Sequence, residues 1–339
     1  MATYKEIHGT KIEAVTSDPS NPVEGQVWYN TTSNVLKGSV VSTAGSWATT
    51  GAMNTGRQST GQGFGATATA AIAAGGEVSG GGMSVNTESF NGTSWTEVNN
   101  LGQAAGQYAS GGTSTSGIIA GGNGGPPSTF IGNVQLWDGT SWTETTDLGT
   151  TRRLMGGAGA SNTAMIVFGG QNPPAPNNTR VGNTESWNGS SWTELNDMSD
   201  ARAQHAGGGT STSALAFGGE DGPSRANLAV TESWNGTSWT EVNDLNNGRE
   251  NIAGATYATS ASSLAFGGRN PGKSAQTEEW NGSAWTEVAD LNVAREQLGG
   301  AGTQSTALAI GGEGPGNYST ATEEWSGTGS ALTRTFTVD

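Results

Sequence analysis

The chain has 339 residues, a formal net charge of −15, no cysteine and a hydrophobic share of only 32%. The acidity excludes a surface built to neutralise a row of phosphates, and the missing cysteines exclude disulfides, thiolate metal sites and cysteine nucleophiles. A single thick aliphatic core is poorly fed as well: ordinary domains are roughly 45–50% apolar with glycine counted, and this chain reaches that range only through its 56 glycines, with 12 tryptophans as its largest apolar groups.

The first 45 residues stand apart. The opening MATYKEIHGTKIEAVTSDPS carries no apolar core of signal-peptide length, and no stretch of the chain approaches transmembrane length. Synthesis in a cytoplasm without a Sec signal, and no membrane insertion, are the expectations. DPSNPVEGQVWYNTTSNVLKG (18–38) then reads as a proline-marked lead-in to a hairpin that turns at 31–34.

From residue 46 the chain repeats. A Gly-Gly pair closes a short apolar run at Gly75-Gly76, Gly121-Gly122, Gly169-Gly170, Gly218-Gly219, Gly267-Gly268 and Gly311-Gly312, at intervals of 46, 48, 49, 49 and 44 residues. A variable stretch follows each pair, then a block: TESFNGTSWTEV from Thr87, VQLWDGTSWTET from Val134, TESWNGSSWTEL from Thr184, TESWNGTSWTEV from Thr231, TEEWNGSAWTEV from Thr277 and a degenerate TEEWSGTGSALT from Thr322. Each repeat divides into four strands. A small-residue strand (AGGGTS, 206–211) precedes an apolar one (ALAFGG, 214–219). TESW and SWTEV then flank an Asn-Gly pair, where a type I′ turn with positive φ at both central residues is expected. No segment has a 3.6-residue period. Four antiparallel strands in roughly 45–50 residues make a propeller blade.

Glycine and alanine in the first strand, as in GGAGAS (156–161), suit the crowded axis of such a fold. Large side chains belong farther out, between blades. Trp47, Trp95, Trp142, Trp192, Trp239 and Trp285 open the fourth strand; Trp137, Trp187, Trp234, Trp280 and Trp325 end the third, where Phe90 substitutes once. Each buried indole removes roughly 150–250 Å² from water, which replaces the aliphatic core. Trp47 to Gly75 is 28 residues, as is Trp239 to Gly267, so 46–53 is a fourth strand without its own first three. It is expected to complete the last blade and close a six-bladed ring. Seven blades is the competing count, because VLKG (35–38) resembles a third strand and the tail ALTRTFTVD offers a fourth.

The order of arginine, small-residue strand, apolar pair before Gly-Gly, variable loop, aromatic, short turn and tryptophan resembles the kelch repeat over 46–325. It departs from that family in its Trp-Asn-Gly, where kelch repeats carry a Tyr-Asp pair and a longer turn. The resemblance implies an all-β, kelch-like β-propeller at 46–325, with an N-terminal arm or hairpin (1–45) and a C-terminal strand or tail (326–339). The lead-in at 18–38 resembles a short motif of phage tail-fibre and other virion proteins. It implies a virion location, with residues 1–45 docking on other virion structural proteins.

Residues suited to catalysis are few. His205 follows Arg202 at the start of a first strand, a structural place for a lone histidine, and His8 has no companion. The sequence spaces no three or four His, Cys or carboxylate ligands for a metal, and the Cys, Tyr and His set of galactose-oxidase-like propellers is missing. WDGTSW at Trp137 has part of a sialidase Asp-box without its leading serine and reads as a turn. Glu97, Glu144, Glu194, Glu241 and Glu287 recur in register, whereas a glycosidase's paired carboxylates would be one-offs. The expectation is a non-enzyme without cofactor or metal, and with no nucleic-acid partner.

One end of the repeats looks like a working face. The loops between second and third strands differ in length, charge and proline content, which on a constant scaffold marks a recognition surface. Asn172, Asn178, Arg180, Asp221, Arg225, Asn270, Lys273 and Tyr318 are its candidate binding residues. At the same end, ten residues after each fourth-strand tryptophan, stand Arg57, Arg152, Arg202, Arg249 and Arg295, with Ala105 in the remaining repeat. This near-complete arginine ring either draws an anion or acidic glycan to the channel mouth or pairs with carboxylates and carbonyls of its neighbours; the pairing is the stronger expectation. The function expected is a non-enzymatic structural and adhesive protein of a phage particle, binding host-surface glycan or a neighbouring virion protein. A stand-alone carbohydrate-binding propeller and a capsid decoration protein are the alternatives.

Overall fold

A computed structural model describes residues 12–19, 26–41, 45–59, 63–126, 129–173, 179–222, 226–327 and 331–336. Among them the chain is all β, with no helix. It divides into two compact units, Trp47–Trp325 and a smaller one made of Met1–Ser46 with Ser326–Asp339.

Six four-stranded antiparallel sheets form the larger unit, a propeller-like arrangement. The first sheet contains Phe64–Thr67, Ala70–Ala74, Thr87–Phe90 and Trp95–Val98; the second Ala109–Thr113, Ser116–Asn123, Phe130–Trp137 and Trp142–Thr145. The third contains Gly156–Ser161, Ala164–Phe168, Thr184–Trp187 and Trp192–Glu194, and the fourth Ala206–Thr210, Ser213–Phe217, Thr231–Trp234 and Trp239–Val242. Ala253–Gly254, Ser263–Phe266, Thr277–Trp280 and Trp285–Val288 make the fifth. The sixth takes Gly299–Gly302, Thr306–Ile310 and Thr322–Ser326 from the end of the unit, and its fourth strand, Ser46–Thr49, from the beginning. That last strand is continued by Thr50 N–H to Thr322 O (3.0 Å) and Met53 N–H to Thr320 O (2.8 Å).

First strands of successive sheets lie side by side, and Gly299–Gly302 of the sixth lies beside Phe64–Thr67 of the first. Glycine permits the approach. A Cβ on Gly157 would stand 2.8 Å from the Ser110 carbonyl oxygen, one on Gly207 would stand 2.5 Å from the Phe168 ring, and one on Gly300 would run into the Gly254 carbonyl.

Hydrophobic side chains gather in six clusters, each shared by two adjoining sheets. Tryptophan anchors them. Third-strand and fourth-strand indoles face each other in register, as Trp234↔Trp239 and Trp280↔Trp285, with centroids 5.3 and 5.4 Å apart. The third-strand indole stays within its own sheet: Trp234 Nε1 donates to Ser211 O at 3.0 Å. The fourth-strand indole reaches back to the sheet before. Trp95 donates to Thr322 Oγ1, Trp142 to Thr87, Trp239 to Thr184, Trp285 to Thr231 and Trp47 to Thr277, all at 3.0–3.1 Å. Trp192 has Val134 at the corresponding place, which offers no hydroxyl, and takes Thr146 O instead at 3.1 Å.

The third-to-fourth turns differ from the type I′ expectation. At 235–238 only Gly236 has positive φ (92°), and Asn235 Oδ1 accepts from Thr237 and Ser238 N–H, both at 2.9 Å. The asparagine side chain takes the place of a backbone turn, so four residues and not two separate the paired strands. Asp138 does the same at 2.8 and 2.7 Å.

In the smaller unit Val27–Asn30 and Val35–Val41 form the expected hairpin, with Asn34 at φ 56°. VLKG and the tail, the two pieces a seventh blade would use, pair with each other from Leu36↔Phe336 to Val41↔Ala331. Their sheet departs from the repeated plan, because Glu13–Val15 runs parallel to Val27–Asn30 at its edge. Asp18 ties this sheet together, accepting from Trp28 Nε1 (3.0 Å), Asn30 Nδ2 (2.7 Å) and Lys37 Nζ (2.6 Å). The Lys37 hydrogen bond leads in holding its carboxyl down at about 2.

Candidate functional site

The connections from each fourth strand to the next first strand assemble one end of the six sheets. Arg202 shows how. Its carbonyl accepts from Gly170 N–H of the third sheet (2.8 Å), while its guanidinium crosses to the fourth, to Glu232 Oε1 (2.9 Å) and Ala216 O (3.2 Å). Glu232 in turn accepts from the connection itself, at Ser199 N–H (2.8 Å). Arg152–Glu185 (2.6 Å), Arg249–Glu278 (2.8 Å), Arg295–Glu323 (2.8 Å) and Arg57–Glu88 repeat the arrangement. Each arginine therefore joins two sheets, one through its backbone and one through its side chain.

The notion of an anion-attracting arginine ring is corrected by this geometry. All five arginines are 0% exposed, and each charge is met by a buried carboxylate. A ligand cannot reach them. Burial works against the charge of Arg202 and the neighbouring Glu232 works for it, so the pair is a structural latch.

The Gly-Gly pairs are its receiving half. Gly169 and Gly170 have φ of 62° and 101°. Cβ atoms there would stand 2.9 Å from the Arg202 carbonyl and 2.8 Å from that of Arg153. Both the backbone region and the close approach require glycine.

Two residues beyond each latch, Ser59, Gln107, Leu154, Gln204, Asn251 and Gln297 all lie at φ 52–59°, an uncommon region for side-chain-bearing residues. Their backbones form a cycle of hydrogen bonds. Gln107 N–H donates to Ser59 O (2.8 Å), Leu154 to Gln107 (2.8 Å), Gln204 to Leu154 (3.0 Å), Asn251 to Gln204 (2.9 Å), Gln297 to Asn251 (3.0 Å) and Ser59 to Gln297 (3.0 Å). With Tyr108, Met155, His205, Ile252 and Leu298 they line a small cleft of about 60 Å³. His205 is buried, its Nε2 accepts from Gly156 N–H at 3.2 Å, and its Nδ1 has no partner among the described residues. Burial, helped by Arg202, pushes its pKa well below the ordinary histidine value; the ring is neutral.

Gln107 also belongs to a second cavity of about 250 Å³, with Glu77, Gly81, Met83, Asn123, Gly125, Pro126 and Arg153. Half-buried Arg153 is held by Nε to Gln171 Oε1 (2.9 Å) and lies over the Phe130 ring at 4.6 Å. Among the described residues it has no ion-pair partner.

Most of the loop residues singled out in the sequence are already engaged with other groups of the protein. Arg180 pairs with Glu220, Nε to Oε1 at 2.7 Å. Lys273 pairs with Glu313 at 2.9 Å, and Tyr318 donates to Glu77 at 3.1 Å. Asn270 Nδ2 donates to Gly248 O (2.6 Å), and Asp221 accepts from Ala226 N–H (3.2 Å). Asn172 sits in a short ladder, Gln171–Asn172 with Thr179–Arg180. Asn178, Arg225 and His8 lie outside the described residues. Gln107, Asn123 and Arg153 were missed. The signal for Arg153 was a departure from the repeat, for the residue after the latch position is otherwise Gln58, Gly106, Ala203, Glu250 or Glu296.

Among the described residues no three or more His, Asp or Glu side chains are grouped to hold a metal ion. Amides, the Arg153 guanidinium, the Glu77 carboxylate and apolar side chains line the cavities, with His205 buried at the smaller one, a set that holds a polar ligand through hydrogen bonds. No protein-family model and no curated protein matches the sequence.

Proposed function

We propose that this chain is a non-enzymatic structural and adhesive protein of a bacteriophage particle, tail- or fibre-associated, whose larger unit is a closed six-bladed kelch-like β-propeller. Two observations support the closed ring. The six-membered backbone cycle runs from Ser59 through Gln297 and returns, and the Trp95–Thr322 bond links the first sheet to the sixth as Trp142–Thr87 links the second to the first. The loop end is then the working face, binding host-surface glycan or a neighbouring virion protein. What supports this is the contrast between the same Arg–Glu ion pair in five of six sheets and the differing loops and amide-bearing cavities at that end. The virion setting rests on the resemblance of 18–38 to a phage motif, with residues 1–45 as the docking arm.

The test combines two measurements. Deleting residues 1–45 removes the protein from purified particles while its far-ultraviolet spectrum and thermal transition persist, and the purified chain retains glycans from a host-surface extract. A chain that never co-purifies with particles, or that binds no glycan and no virion protein, would overturn the reading.

A further inference from the structure

We propose that the cavity beside Arg153 is a binding site for the carboxylate-bearing ring of an acidic sugar; this rests on the glycan-binding reading above and names its ligand class.

Charge comes first. The chain is strongly acidic, and around the cleft the position after the latch is acidic or neutral in five sheets, with Glu250 and Glu296 in the fifth and sixth connections. Arg153 alone is basic there. Each latch arginine has its carboxylate, but among the described residues Arg153 has none; burial works against its charge, and so does Arg180, a second cation. An unanswered, half-buried guanidinium lining a cavity is a place for an anion.

Preorganisation comes second. The backbone of Arg153 is bridged to Gln171 in both directions, N–H to O at 3.2 Å and O to N–H at 2.9 Å, its Nε is fixed on Gln171 Oε1, and Phe130 supports the plane of the fork. With Nε occupied, the terminal nitrogens remain for a ligand. A side chain already held in place loses little freedom on binding. The fork also suits the two oxygens of a carboxylate.

The remaining lining fits a sugar ring. Asn123 and Gln107 bring amides, and Gln107 Oε1 has no donor among the described residues. Met83 and Pro126 offer apolar surface to ring C–H groups. Glu77 accepts from sugar hydroxyls and disfavours a second anionic group. At about 250 Å³ the space is smaller than the roughly 300–1,000 Å³ of drug-sized pockets, so one ring enters and a longer stretch does not.

Calorimetric titration of the full chain tests the site with four methyl glycosides or simple sugars: a glucuronide, an N-acetylneuraminide, a neutral glucoside and a 6-sulfated glucose. A carboxylated probe is expected to bind at least about tenfold more tightly than the neutral one, the size of a charged hydrogen-bond pair. Arg153→Gln removes that advantage and leaves neutral binding alone, while Arg153→Lys retains part of it, having charge without the fork. Arg269→Gln, on a separate exposed loop, behaves as wild type. Met83→Trp fills the cavity with Arg153 intact and gives the same loss, which covers the case of an unfolded Arg153 variant. Equal binding of acidic and neutral probes, preference for the sulfated probe, or an Arg153→Gln protein that binds the acid normally overturns the site. Binding of neutral probes alone leaves the glycan-binding platform standing without it; binding of none overturns the site, and retention of host-extract glycans decides the platform separately.

Discussion

Gln135 occupies the place in the second sheet where the other five carry a latch glutamate, and Ala105 occupies the place of the arginine that would have faced it. The two departures compensate each other. A carboxylate at 135 would be a buried charge without its guanidinium. The amide keeps the useful bonds, accepting from Gly102 N–H at 2.7 Å and donating to Gln103 O at 3.1 Å, with no charge to desolvate.

This pair supplies a design for testing the latch. Arg202→Ala, which strands Glu232, is expected to lower stability by about 3–5 kcal/mol, as for other broken buried ion pairs. Adding Glu232→Gln, the solution the second sheet already uses, should recover a large part of that loss. Urea unfolding of the two variants checks it, and equal midpoints would remove the charge argument.

Removing an inter-sheet indole should depend on its hydrogen bond. Trp239 is buried and donates to Thr184 Oγ1 at 3.0 Å. Trp239→Phe leaves a buried hydroxyl unmatched and a small void, a loss of roughly 1–3 kcal/mol. Trp192→Phe, at the more exposed site bonded to Thr146 O, should lose less than half as much in the same denaturant titration.

Glycine in first strands and glycine in loops should separate cleanly. Gly300→Ala places a Cβ against the Gly254 carbonyl, whereas Gly272→Ala meets nothing within 4 Å. The first is expected to lower the thermal midpoint by several degrees or prevent folding; the second should stay within about ±0.5 kcal/mol, as exposed substitutions do.

Acid should weaken the protein through His205. Burial holds its folded-state pKa below the ordinary histidine value of 6.5, so the unfolded chain binds the extra proton first. The histidine's contribution is complete above that value and declines as pH falls below it, by at most about 1.4 kcal/mol per pH unit for one proton. His205→Gln should flatten that part of the stability profile between pH 6.5 and 5, measured by urea midpoints at each pH. An unchanged slope would assign the acid sensitivity elsewhere.

The strand plan was legible because it is written six times. Gly-Gly, Trp and Asn-Gly recur at fixed offsets, and each has a steric reason to stand where it does. The role of the arginines was half legible. Glu88, Glu185, Glu232, Glu278 and Glu323 share one place in the third-strand block, and the block with Gln135 belongs to the repeat with Ala105, yet only the folded pairing separates a latch from an open anion ring. The turn type was misread because an asparagine before glycine can enter the left-handed region itself or cap the turn with its side chain; the sequence is the same for both. Arg153 was hidden by its neighbour, the repeated Arg152, and its cavity arises from loop packing that leaves no periodic trace.

The strand Ser46–Thr49 is translated before any of the six first strands, yet its partner Thr322–Ser326 is among the last segments of the unit to be made. While the ribosome works through the intervening repeats, that strand waits with a bare edge, and the sixth sheet has one too until the two meet. Unpaired edges are where chains adhere to the wrong neighbour. A slow or paused ribosome therefore lengthens the exposure of one short segment above all others, and crowding on a polysome favours its capture by a sibling chain.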